Sequence, residues 1–186
     1  MDLFDYENDR IKKRAKSGRP LIVKLFSAMI YIGLIAGSIY VSYKYMVISR
    51  VPTDSMQQTI IPGDYVVANR AAYDEKDPKI GDIVLFNQNK TFMCKRIVAL
   101  GGDTVSFSDG DLYRNGEKVK EKYITDPDME SNSPKTFEVP EGCCFVLGDN
   151  RETSYDARYW DDPYIKYGSL KAKVLLVVPM HLVKPM

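Results

Sequence analysis

The chain contains 186 residues, carries a formal net charge of +1 and is 45% hydrophobic. This length allows one domain of ordinary size with an appendage, and a charge near zero provides no general attraction to nucleic acid. Three cysteines and one histidine argue against a disulfide scaffold and a histidine-rich metal site, and they allow at most one Ser-His-Asp triad.

The first predicted element is a membrane anchor. Residues 1–46 hold eight basic and four acidic side chains, whereas residues 47–186 hold eighteen and twenty-one. From Leu25 to Tyr43 about 19 residues carry no charge, close to the roughly 20 helical residues that cross a bilayer. We therefore predict a basic cytoplasmic segment at 1–20, a transmembrane anchor at 21–46 and an extracytoplasmic domain at 47–186.

The direction of the anchor follows from its flanks. Many basic residues precede the apolar run and few follow it: Arg10, Lys12, Lys13, Arg14, Lys16, Arg19 and Lys24 before, and Lys44 and Arg50 after. Because basic flanks stay on the inner side, we predict a single-pass cell-membrane protein with a cytoplasmic N-terminus. The run is longer than the apolar region of a cleaved signal peptide. A buried core helix is the alternative.

Beyond the anchor, short apolar stretches alternate with turn signals, which predicts a mainly β domain built from antiparallel sheets. A polar stretch with two prolines, 125–135, is predicted to be a loop. The predicted strands lie at 65–68, 83–86, 92–100, 104–107, 111–113, 137–139, 143–147 and 174–178.

The single histidine of the chain is the first candidate for a catalytic base. His181 has no local serine or carboxylate partner, so a hydrolase here needs another base. Lys95 is the candidate, because strand alternation places it on one face with Met93 and Ile97. A lysine acts as a base only when neutral, and an apolar site closed to water lowers its pKa. The pattern alone also allows Lys95 to pair with a carboxylate or to reach the sheet edge.

The nucleophile candidate is Ser55, in a stretch that by itself is typical of a turn. Its interpretation changes because four segments occur in order after the anchor: SMQQT at 55–59, GD at 63–64, KRIVALGGD at 95–103 and GDNRETSYDAR at 148–158. Together they resemble the bacterial type I signal peptidases, membrane-anchored serine proteases with a Ser-Lys dyad. Asp54 and Gln58 depart from that pattern, which usually has glycine and proline there.

The resemblance implies a role for each matching residue. Ser55 would be the nucleophile, and Lys95 the general base that activates first Ser55 and then the deacylating water. Thr53 and the backbone N–H of Ser55 would form the oxyanion hole. The base would be oriented by Ser154, with support from Asp149, Asp156 and Arg158. The substrate pockets would be lined by Val51, Pro52, Met56, Ile60, Met93 and Cys94.

The implied function is removal of signal peptides from exported preproteins through an acyl-enzyme, after small residues at positions −1 and −3. The substrate would add as a strand beside Lys95. The expected partners are preproteins and the lipid bilayer, with no nucleic acid, cofactor or metal. The alternatives are a self-cleaving Ser-Lys regulator, a non-catalytic anchored module in pilus or surface-protein assembly, and a peptidase dedicated to pilin-like substrates.

The cysteines are expected to be reduced. Cys143 and Cys144 are adjacent, so a disulfide between them would be strained. Cys94 adjoins Lys95 and is a candidate site for oxidative or alkylating inhibition.

Overall fold

The computed structural model of the chain describes residues 20–124 and 135–180. The basic residues before Pro20, nearly all of the predicted 125–135 loop and His181 lie outside the described residues. By its internal contacts the chain divides into one unit that ends at Lys44 and a second that begins at Tyr45.

The first unit contains all but the last residue of the helix α1, Leu21–Tyr45, which has 25 residues. At 1.5 Å per residue this helix is about 37 Å long, which exceeds the roughly 30 Å hydrocarbon core of a bilayer. None of its side chains is buried, and its only charged residues are Lys24 and Lys44. By length and composition α1 can cross a membrane.

The second unit contains two antiparallel sheets, which confirms the predicted mainly β fold class. The strands are β1 Met46–Arg50, β2 Tyr65–Asn69, β3 Ile83–Gln88, β4 Thr91–Leu100, β5 Thr104–Ser108, β6 Asp111–Arg114, β7 Glu117–Lys118, β8 Phe137–Glu138, β9 Cys143–Leu147, β10 Tyr164–Lys166 and β11 Leu170–Val178, with a 3-10 turn at Tyr167–Ser169. One sheet has the order β1-β2-β11-β3-β4-β9-β10, and the other has the order β7-β6-β5-β8.

Each of the eight predicted strands coincides with an observed strand, with ends that differ by a few residues. The strands β1, β7 and β10 were not predicted. β1 follows α1 directly, so its apolar residues continue the anchor without a turn signal between them. β7 and β10 have two and three residues, too few for a period-two pattern to be visible.

Two apolar clusters form the core. The larger cluster joins the two sheets, since it contains Phe86, Ile97 and Phe145 from the first sheet with Phe107 and Leu112 from the second. The smaller cluster lies on the other side of β3 and fixes the 51–64 segment to the first sheet. It consists of Val51, Met56, Ile60, Val66, Ala68, Leu85 and Ala172.

Each side of the strand β4 is paired with a neighbouring strand over only about half of its length. On one side it pairs with β3 from Thr91 to Arg96. On the other side β9 pairs only with the part from Arg96 to Leu100. Among the described residues, the segment 91–95 therefore has one edge without a neighbouring strand, and Lys95 lies at the point where this open edge begins.

Candidate active site

A cleft of about 270 Å³ lies at the open edge of β4. It is lined by Leu85 of β3 and by residues of three segments that are distant in the sequence: the end of β1 with the turn that follows, the first half of β4, and the loop after β9. The lining residues are Ser49, Arg50, Val51, Pro52, Thr53, Asp54, Ser55, Leu85, Thr91, Phe92, Met93, Cys94, Lys95, Thr153 and Tyr155. The cleft thus brings the predicted nucleophile and the predicted base to one space.

The nucleophile turn, residues 51–64, is closed by backbone hydrogen bonds. Val51 N–H donates to the carbonyl of Asp64 at 2.9 Å, and Gly63 N–H donates to the carbonyl of Val51 at 2.8 Å. Beneath the turn, Met56 and Ile60 are fully buried in the smaller core cluster. Apolar packing from below therefore holds Ser55 at the cleft.

This position of Met56 and Ile60 differs from the prediction that they line substrate pockets. The N–H of Ile60 donates to the carbonyl of Met56 at 2.6 Å, a helical turn that points both side chains in one direction, into the core. The other predicted pocket residues, Val51, Pro52, Met93 and Cys94, do line the cleft.

The hydroxyls of Thr53 and Ser55 are neighbours at the cleft, with 3.4 Å between Oγ1 and Oγ. Lys95 Nζ, also at the cleft, donates to Ser154 Oγ at 2.9 Å. Among the described residues, no direct hydrogen bond joins Ser55 to Lys95. Thr53, Ser55 and Lys95 thus line the same cleft, and Ser154 is bonded to Lys95.

Lys95 is 4% exposed. Burial lowers the pKa of its ammonium group, because the charged form loses its hydration. The nearby carboxylates of Asp156 and Asp149 and the Cys94 thiol act in the opposite direction, and the Arg158 guanidinium adds to the lowering of the pKa. In the described part of the chain Lys95 forms no ion pair with a carboxylate, so the pairing left open above is not observed.

The base-side loop, residues 148–158, carries Ser154 and is held by buried charges. Asp156 accepts from Arg158 Nε at 2.9 Å and from the N–H of Gly148 at 3.0 Å. Arg158 Nη2 in turn donates to the carbonyl of Arg151 at 2.7 Å. Since Asp156 is 0% exposed, this pair fixes both ends of the loop around Ser154.

Gly148 is the point where the base-side loop meets the nucleophile turn. A Cβ atom at this position would lie 2.2 Å from Ser154 Oγ and 2.4 Å from the carbonyl oxygen of Ser55. Two residues later, Asn150 N–H donates to the same Ser55 carbonyl at 3.1 Å. The absence of a side chain at Gly148 therefore sets the spacing between Ser55 and Ser154.

Asp149 adds a second link among the three segments. It accepts from Arg96 Nε at 2.8 Å and from Arg96 Nη2 at 2.6 Å, and it also accepts from the Thr59 hydroxyl. Arg96 belongs to β4 and Thr59 to the nucleophile turn. Asp149 therefore joins the strand of the base, the turn of the nucleophile and the loop of Ser154.

The sequence patterns did not indicate several residues of this region. Some cleft residues lie inside or beside the recognised segments, and this proximity in the chain is the signal that could have identified them: Arg50, Thr91, Phe92, Thr153 and Tyr155. The contacts of Arg96 and Thr59 with Asp149, and of Arg151 with Glu121, join residues between 30 and 90 positions apart, for which a single sequence provides no signal.

The three cysteines are free. Burial raises the pKa of Cys94 to about 12, although its thiol lies at the cleft. The thiolate is the reactive form of cysteine, so the raised pKa acts against modification of Cys94 at neutral pH, whereas its position at the cleft favours access of a reagent. Inhibition through Cys94 stays a prediction.

Comparison with known proteins adds three findings. A sequence profile of the family described as signal peptidase, peptidase S26, matches residues 22–178. A probable signal peptidase I-1 of Synechocystis sp. is 36% identical over 120 residues, 59% of this chain and 60% of that protein. A probable signal peptidase I-2 of the same organism is 38% identical over 118 residues, 59% of this chain and 53% of that protein.

A solved crystal structure of a signal peptidase I from Enterococcus faecalis V583 is 34% identical, covers 54% of this chain and 98% of that chain, and has a TM-score of 0.46. The chain spans little more than half the length of the two Synechocystis relatives.

Proposed function

The chain belongs to the signal peptidase family, peptidase S26, and on this basis we propose that it is a membrane-anchored serine endopeptidase that removes signal peptides from preproteins. The observation that carries the proposal is the cleft in which the buried Lys95 and Ser55 face the same space. A non-catalytic role in surface-protein assembly is not favoured, because it requires neither group at this cleft.

In the proposed reaction the Ser55 hydroxyl rotates from Thr53 toward neutral Lys95. Lys95 takes the hydroxyl proton while Ser55 Oγ bonds to the scissile carbonyl carbon. The resulting oxyanion accepts hydrogen bonds from the Thr53 hydroxyl and the Ser55 N–H. When the C–N bond breaks, Lys95 returns its proton to the leaving amine and Ser55 retains the acyl group as an ester.

Deacylation repeats the same steps with water. Lys95 takes a proton from a water molecule, whose oxygen bonds to the ester carbon, and then returns that proton to Ser55 Oγ as the signal peptide leaves. Ser154 keeps Lys95 Nζ in position throughout through the 2.9 Å hydrogen bond. The mechanism uses only side chains, backbone groups and water.

The open edge at 91–95 supports the proposed binding mode, in which an extended substrate adds to β4 as a strand. Alternate residues of such a strand point to the same side, so the side chains at −1 and −3 would both face the cleft wall. Val51, Pro52, Met93 and Cys94 contribute to this wall. An apolar wall in contact with the substrate would exclude large side chains by steric overlap, which favours small residues at both positions.

The predicted membrane anchor supports the proposal that the substrate is itself inserted in the membrane. The predicted topology has the N-terminus in the cytoplasm and the catalytic unit outside, where the cleavage site of an exported preprotein emerges from the bilayer. Enzyme and substrate would then share one membrane, which raises their effective concentration.

The test is cleavage of a preprotein with alanine at −1 and −3 by the full chain in detergent. Wild type should release the signal peptide, whereas Ser55→Ala and Lys95→Ala should each lose at least about 1,000-fold in kcat/KM. Ser108→Ala and Lys171→Ala, both exposed and away from the cleft, are matched controls that should retain activity. Equal cleavage by wild type and the dyad variants, or none by wild type, would overturn the proposal.

The pH dependence provides a second readout of the same experiment. Lys95 must lose its proton to act, so kcat/KM should rise with pH through the pKa of Lys95. Since burial lowers that pKa, the rise should occur below the ordinary lysine value of about 10.4. An optimum near pH 5 is incompatible with a lysine base.

A further inference from the structure

The segment 119–124, here called the strap, leaves the second sheet after β7 and packs against the charged groups of the site. Val119 N–H donates to the carbonyl of Leu112, which fixes the start of the strap to β6. Glu121 then accepts two hydrogen bonds from Arg151, at 2.8 and 2.6 Å. Tyr123 donates to Glu121 at 2.7 Å, and the Arg96 guanidinium lies 4.0 Å from the centre of the Tyr123 ring.

Arg151 links the strap to the base-side loop. Its Nε donates to the carbonyl of Gly148 at 3.0 Å, and its own carbonyl accepts from Arg158. Arg151 therefore bridges the loop between the glycine that touches Ser154 and the arginine that pairs with Asp156.

The Arg151–Glu121 pair is almost completely enclosed, with side chains 3% and 8% exposed. A guanidinium does not lose its proton in a protein. Removal of the Glu121 carboxylate would leave a buried cation without its counterion, a strongly unfavourable state. The loop can relieve that state by opening, so that water reaches Arg151.

We propose that Glu121 is a positioning residue for the base: through Arg151 it holds the base-side loop closed over Lys95, so that Lys95 stays dry and bonded to Ser154. Glu121 itself does not touch the substrate or the reacting atoms. This inference rests on the proposed function for its catalytic consequence, whereas the closure of the loop can be measured without catalysis.

The groups that face Lys95 determine in which direction its pKa should change when the loop opens. They are Asp149, Asp156 and Arg158 from the base-side loop, Cys94 from β4, and Ser55 and Ser154 as hydroxyls. Burial is the largest cause of the lowered pKa of Lys95, and it outweighs the carboxylates that raise it. Entry of water on loop opening therefore raises the pKa of Lys95 toward its ordinary value.

The experiment compares wild type with Glu121→Gln and Glu121→Ala in the full chain in detergent. Competitive labelling with acetic anhydride, read by mass spectrometry at a series of pH values, gives the titration midpoint of Lys95. We expect the midpoint to rise by about one pH unit or more in Glu121→Ala and by less in Glu121→Gln, which keeps the shape and one acceptor oxygen. Asp111→Asn, which disrupts the exposed Lys118–Asp111 pair of the second sheet, is the matched control.

Preprotein cleavage provides the second readout. At pH 7 kcat should fall about tenfold in Glu121→Ala with KM little changed, and the loss should shrink at high pH, where Lys95 is neutral in every variant. Glu121→Gln keeps the test decisive if Glu121→Ala does not fold. A Lys95 midpoint in Glu121→Gln equal to that of wild type, an activity loss that stays constant across pH, or an equal shift in Asp111→Asn would overturn the inference. If Lys95 shifts but wild type cleaves no preprotein, the inference stands and the proposed function fails.

Discussion

The nucleophile turn and the base-side loop meet at one cleft, but they are held by opposite kinds of interaction. Under the nucleophile turn, Val51, Met56 and Ile60 are buried apolar side chains. The base-side loop contains almost no apolar anchor and is fixed instead by buried charged residues: Asp149, Arg151, Asp156 and Arg158.

Because of this difference, we expect the nucleophile turn and the base-side loop to tolerate substitutions to different degrees. Apolar packing has no directional requirement, so a side chain of similar volume can replace another at a small cost. A buried ion pair depends on both partners, and loss of one leaves a charge that the protein interior does not solvate. Ser55 is therefore held by packing that conservative substitutions should preserve, whereas Lys95 and Ser154 depend on charged groups whose neutralisation one at a time is costly.

The largest effect is expected where the base-side loop loses one ionic partner. Asp156→Asn removes the charge that pairs with Arg158, and we expect it to destabilise the second unit by about 3–5 kcal/mol. Urea unfolding followed by tryptophan fluorescence measures this change, since Trp160 lies beside the loop. Asp161→Asn, at an exposed carboxylate nearby, is the control. Equal stability of Asp156→Asn and wild type would contradict the ionic support of the loop.

An intermediate effect is expected beneath the nucleophile turn. Met56→Ala leaves a cavity at a fully buried position and should cost about 2–5 kcal/mol, whereas Met56→Leu conserves volume and should cost less than about 1.5 kcal/mol. The same unfolding experiment distinguishes them. If Met56→Leu were as destabilising as Met56→Ala, the turn would depend on side-chain shape and the contrast with the base-side loop would disappear.

The smallest effect is expected at the exposed charges of the second sheet. Asp111 and Lys118 pair in solvent, with side chains 32% and 59% exposed. Such pairs contribute little, because water solvates each partner alone. Asp111→Asn should leave both the unfolding midpoint and the cleavage rate unchanged. A loss of cleavage activity comparable to that of Glu121→Gln would show that solvent exposure does not explain the difference between this ion pair and the Glu121–Arg151 pair.

The parts of the fold that were predictable are those with a local pattern. The anchor is an uninterrupted apolar run, and strands such as β4 and β9 are bounded by turn residues. β1 was not predicted because the chain passes from helix to strand between Tyr45 and Met46 with no change in composition.

The candidate site divides in the same way. Four predicted site residues lie in or beside short local sequence motifs: Thr53, Ser55, Lys95 and Ser154. Each of them lines the cleft or is bonded to a residue that does. The prediction that Met56 lines the cleft failed because an apolar residue beside a nucleophile can face either the substrate or the core. Only the backbone conformation of the turn decides between the two positions. The Glu121–Arg151 pair depends on how the second sheet folds back onto the first.

The open edge of β4 has a consequence for the conformation of the substrate. Five residues of strand extend over about 17 Å, and a partner must offer free backbone N–H and C=O groups along that length. A segment already hydrogen-bonded within a helix or sheet cannot offer them. The proposed peptidase would therefore cleave a preprotein only while the residues around the scissile bond are unfolded, so that processing competes in time with the folding of the exported domain.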